Sequence, residues 1–183
     1  RYGVHQSCDV EDCSAGNYLI LIDPVRGVVE RKWGLGWWHM SPRVTPDGQE
    51  MLTSLGWHCF GLGYGLFVIN LKDWIVEHQV LLGKTKTLGY SVEKFTSIPI
   101  SQIKEELNVL GLDSVEDYDF KDWVWISEDK ILCIINDNSL IKQFLQQGIE
   151  MINCPQDIWI VNIRTGEKER LTRFGDRSLK LIR

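Results

Sequence analysis

The stretch Asp157–Thr172, "DIWIVNIRTGEKERLT", decides how this chain is read. It opens with the apolar run Ile158–Val161, turns at a Thr-Gly pair and leaves as a charged segment, the pattern of two antiparallel strands joined by a hairpin. A looser copy, "YLILIDPVRGVVERKW", runs from Tyr18 to Trp33, and a third, "GLFVINLKDWIVEHQV", from Gly65 to Val80. Each first strand is an almost unbroken apolar run, Leu19–Ile22, Leu66–Ile69 or Ile158–Val161, which predicts burial on both faces. A polar residue follows every time, Asp23, Asn70 or Asn162, and four residues later comes the turn position, Gly27, Trp74 or Gly166. Glycine supplies the positive φ of a tight turn in two copies, and Trp74 departs from that chemistry. The second strand mixes charge with apolar residues and is expected nearer an outer edge, with one face wet.

A second kind of hairpin precedes two of these copies. "SPRVTPDGQEMLTS", Ser41–Ser54, places a Pro-Asp-Gly turn between short strands, and "DWVWISEDKILCIIN", Asp122–Asn136, does the same with Glu-Asp-Lys, so that Asp47 and Asp129 align. The resulting order of strand, turn, strand, loop, apolar strand, turn and charged strand is a four-stranded antiparallel meander that repeats. Repeats of this length and strand content mark β-propeller blades, so the fold class expected is all-β, a partial propeller of about two to three blades.

The residues "SPRVTPDGQEML" followed by "LFVINLKDW", and "WVWISEDKILCI" followed by "DIWIVNIRTGEKERLTRFGD", resemble the WD-like repeats of TolB-type β-propellers, also found in the propeller domains of prolyl oligopeptidase-like enzymes. The expected layout is one propeller segment over 1–183. Within it, 18–33 is the outer half of a blade, 41–82 a blade, 83–118 an insertion with a short helix, 120–172 a blade with an inserted helix at 139–147, and 177–183 the start of the next blade. In the first insertion "SQIKEELNVLG" offers Ser101 as N-cap, Ile103, Leu107 and Leu110 on one face, and Gly111 as the stop. Fewer than three blades cannot close a ring of about four to eight. The chain, which starts at Arg1, is therefore expected to be a piece of a longer propeller, or one whose missing blades come from other chains.

Composition narrows the partners. The 183 residues are 44% hydrophobic, and 20 basic against 25 acidic side chains leave a formal charge of −5 with the basic residues scattered. Phosphate binding wants a concentrated positive surface, so nucleic acid is not an expected partner. No apolar run is long enough for a membrane-spanning helix, and "RYGVHQSCDVEDC" lacks the apolar core of a signal peptide. Five cysteines leave at least one thiol unpaired within the chain. Cys59 and Cys133 read as small buried hydrophobes.

For chemistry, "KWGLGWWHMSPR" puts Trp38, His39 and Met40 at the entrance of an inner strand, near the mouth of a central channel, with Arg43 beyond. Trp38, His39 and Arg43 are the candidate ligand-binding residues, against the plainer reading of His39 as a loop histidine satisfied by backbone or water. "HQSCDVEDC" holds three soft atoms, at His5, Cys8 and Cys13, but lacks the paired knuckles of structural zinc; a Cys8–Cys13 disulfide in an oxidising compartment, or a plain terminal segment, accounts for it as well. His58 and Cys59 are adjacent on a strand and point to opposite faces, which argues against a nucleophilic pair. No G-x-S-x-G elbow, Walker loop, HExxH or EF-hand loop occurs, and the sequence names no cofactor. Eight tryptophans are expected mostly to fill wedges between blades.

The function expected is a non-catalytic interaction or scaffold module, whose partner is a protein or further blades from the same or another chain. The alternative is the propeller portion of an enzyme: a peptidase-type hydrolase with its catalytic domain elsewhere, or a propeller enzyme working through His39 and Arg43. The TolB-type resemblance and a Cys8–Cys13 bridge imply a periplasmic or extracellular setting.

Overall fold

A computed structural model describes residues 2–6, 17–36, 39–57, 62–96, 108–112, 118–137, 146–147 and 156–173. They form three antiparallel sheets in which neighbours along the chain are neighbours in space. The first is β1 (Tyr2–Gln6), β2 (Asn17–Asp23) and β3 (Val28–Gly36); the central sheet is β4 (His39–Val44), β5 (Glu50–Trp57), β6 (Leu62–Asn70), β7 (Ile75–Leu81) and β8 (Lys84–Ser91). The third is β9 (Tyr118–Trp125), β10 (Lys130–Asp137), β11 (Gln156–Asn162) and β12 (Lys168–Arg170). A short helix, α1 (Val92–Thr96), follows β8 and packs beside β3. Among the described residues no helix is long and apolar enough to cross a membrane.

One buried cluster lies between the central and third sheets, and Met51, Phe67, Ile69 and Val76 are buried on the opposite face of the central sheet. Side chains alternate across a strand, and paired residues share a face. In the central sheet Leu52 sits opposite Val68 and Leu66 opposite Val80; in the third, Cys133 sits opposite both Trp123 and Trp159, and Ile131 opposite Val161. All of these, with Phe120, Ile135 and Ile163, belong to one buried cluster. Fully burying a side chain of this size stabilises the fold by about 1.5–3 kcal/mol, so the face-to-face contact of these two sheets is a large apolar term. Consecutive antiparallel meanders stacked through their faces are the architecture of propeller blades.

The turns repeat more faithfully than their sequences. Asp23 Oδ1 accepts the N–H of Val25 at 2.8 Å and of Arg26 at 3.1 Å; Asn70 Oδ1 accepts those of Lys72 and Asp73 at 2.9 and 3.1 Å; Asn162 Oδ1 accepts those of Arg164 and Thr165 at 2.8 and 3.1 Å. The polar residue after each apolar strand is thus the side chain that caps the turn. The left-handed residue closing it is Gly27 (φ 66°), Trp74 (φ 57°) or Gly166 (φ 76°). The departure at Trp74 is chemical only, because its backbone keeps the glycine conformation.

Three expectations need correction. Residues 83–118 do not begin as an insertion: Lys84–Ser91 pairs with β7 as a fifth strand, with Leu81 opposite Lys84 across a two-residue turn at Leu82–Gly83. Gly83 takes φ 106°, which lets the chain reverse at once, and β7 is consequently an interior strand rather than an outer one. Nor is every apolar run buried on both faces. β6 is, but β11 alternates buried and half-buried positions, and in β2 Ile22 is exposed. Finally, Tyr2–Gln6 adds a strand to the segment expected as the outer half of a blade. Of the expected helix at 101–111, Asn108 and Val109 are helical and Gly111, at φ 69°, donates its N–H to the Asn108 carbonyl; most of 101–111 and of 139–147, and all of 177–183, lie outside the described residues.

Candidate functional site

Arg43 belongs to β4, the first strand of the central sheet, and Asp122 to β9, the first strand of the third. Their side chains meet at 3.3 Å, about a quarter exposed, and the Arg43 guanidinium also donates to the Pro42 carbonyl at 3.3 Å. Asp122 in turn accepts the Trp123 N–H at 2.9 Å. The candidate ligand-binding arginine is therefore one half of an ion pair joining the two inner strands. His39 opens β4, its backbone opposite Leu55, and its side chain lies outside the described residues, as does Trp38. His5 lies in β1 opposite Tyr18, while Cys8 and Cys13, with their expected disulfide, lie outside the described residues. Among the described residues no three His, Cys, Asp or Glu side chains come together as a metal group.

A second polar cluster, unsuspected from sequence, surrounds Arg164 in the β11–β12 turn. Its two terminal nitrogens donate to Glu50 Oε1 at 2.8 Å and Oε2 at 2.5 Å, and its Nε to Asp129 Oδ1 at 3.0 Å. Glu50 starts β5 and Asp129 lies in the β9–β10 turn, so one guanidinium ties a neighbouring sheet to its own. The two carboxylates push the Arg164 pKa further up, and the group stays charged at any ordinary pH. The aligned acids of the sequence thus take different roles. Asp129 holds Arg164, whereas Asp47 serves its own turn, accepting the Thr45 hydroxyl at 2.6 Å and the Gln49 N–H at 3.0 Å. The Thr45 hydroxyl, foremost, holds the Asp47 carboxyl below the usual carboxylate range.

The same turn reaches across the central sheet by its backbone. His78 Nε2 donates to the Ile163 carbonyl at 3.2 Å, the Thr85 hydroxyl to the Arg164 carbonyl at 3.1 Å and the Gly83 N–H to the Gly166 carbonyl at 2.8 Å. Burial, above all, keeps the His78 pKa below the ordinary imidazole value. At the far edge, buried Asp157 is met by Arg170 and, at 3.2 Å, by the Thr172 hydroxyl, while Lys168 and Arg170 lie over the Trp159 ring, each 5.5 Å from its centre. Cys133 is free and buried; burial raises its thiol pKa, which leaves it protonated and unreactive as a nucleophile.

No protein-family model matches the chain, and no curated protein matches it. Among solved structures, it is similar to the β-propeller domain of the Trilobed protease from Pyrococcus furiosus, described as having an open velcro topology. Identity is 12% and the TM-score 0.45, over 93% of this chain and 39% of that one. The chain thus spans about two-fifths of the length of that structure.

Proposed function

We propose that these residues are a non-catalytic interaction module, a segment of a TolB-like propeller that binds a protein partner through the loops and insertions at the ends of its sheets. The observation that carries this reading is where the described polar side chains point. Arg43 meets Asp122, Arg164 meets Glu50 and Asp129, and His78 meets the Ile163 carbonyl, so the groups best suited to chemistry join one sheet to the next. Loops between such sheets carry recognition because they vary without disturbing the scaffold.

Two measurements test it together. The purified chain is assayed against panels of peptide, ester and phosphoester substrates, with His39→Ala and Arg43→Ala as controls. It is also immobilised to capture partners, and the footprint of any captured protein is mapped by hydrogen exchange. The expected result is no turnover and a footprint in the loops. Turnover that His39→Ala or Arg43→Ala abolishes would replace this reading with that of a channel-site enzyme.

A further inference from the structure

We draw no further inference here: the strongest candidate, the half-buried apolar face of the third sheet formed by Leu132, Ile158 and Ile160, is the side turned away from the buried cluster, and nothing in the structure shows what covers it.

Discussion

The Gly166 carbonyl accepts the Gly83 N–H at 2.8 Å, and a Cβ added at Gly166 would lie 2.4 Å from the backbone of Lys84. The third sheet thus meets the central sheet backbone to backbone, a contact that only glycine permits. Placing a side chain at φ 76° costs about 1 kcal/mol or more, and displacing a packed backbone adds about 1–3 kcal/mol. Gly166→Ala is expected to lose about 3 kcal/mol in urea unfolding followed by tryptophan fluorescence. Gly27→Ala, at φ 66° with open space around it, is the control and is expected to lose about 1 kcal/mol. Equal losses at the two positions would mean that the sheets do not meet at Gly166.

Trp74 sets backbone strain against burial. Its φ of 57° is a conformation that bulky residues avoid, yet its side chain is 8% exposed and its carbonyl accepts the Val92 N–H at 3.1 Å. Glycine would relieve about 1–2 kcal/mol of strain but remove a buried indole worth about 3–5 kcal/mol. Trp74→Gly is therefore expected to destabilise by about 2 kcal/mol or more. A gain in the urea midpoint would show that turn geometry, not packing, governs this position.

What was legible in the sequence followed from local chemistry. Apolar runs at Leu66–Ile69 and Ile158–Val161 lie in β6 and β11, and the polar residues after them, Asn70 and Asn162, cap the turns because a side-chain oxygen two or three residues from a free N–H can reach it. The strand "KTKTLGYS" escaped because its threonines and lysines resemble a loop; the Gly83 turn, together with the alternation, was the available signal. The pairing of Arg43 with Asp122, or of Arg164 with Glu50, could not be read, since the partners stand 79 and 114 residues apart and meet only once the sheets stack. The place on an inner strand that makes Arg43 a candidate also puts it beside the next inner strand.

Arg164 holds Glu50 with both terminal nitrogens, a fork that lysine lacks. Its side chain is 38% exposed, so solvent screens the pair, and the expected contribution is about 0.5–1 kcal/mol rather than that of a buried bridge. Arg164→Lys and Glu50→Gln should each lower the urea midpoint slightly, with a coupling of that size in the double variant. The coupling should shrink at high salt. Independent, additive losses would place Arg164 on the surface without a partner in the neighbouring sheet.

His78 makes the contact between the sheets sensitive to acid. Burial disfavours its charged form, and nearby Arg164 acts in the same direction; the hydrogen bond to the Ile163 carbonyl and the charges of Glu50 and Glu77 oppose this without overcoming it. The folded pKa therefore lies below the ordinary value of 6.5 that the unfolded chain retains. Above that value the imidazole is neutral in both states and stability does not depend on it. Below it the unfolded chain binds a proton that the folded chain refuses, so stability falls as pH drops, until the folded pKa is reached. The chain has four histidines, and the difference between wild type and His78→Gln isolates this one. Urea midpoints measured from about pH 8 to about pH 5 should fall more steeply in the wild type than in the variant. Parallel curves would mean that His78 is as well hydrated in the fold as in the unfolded chain, and that the β11–β12 turn does not bury it.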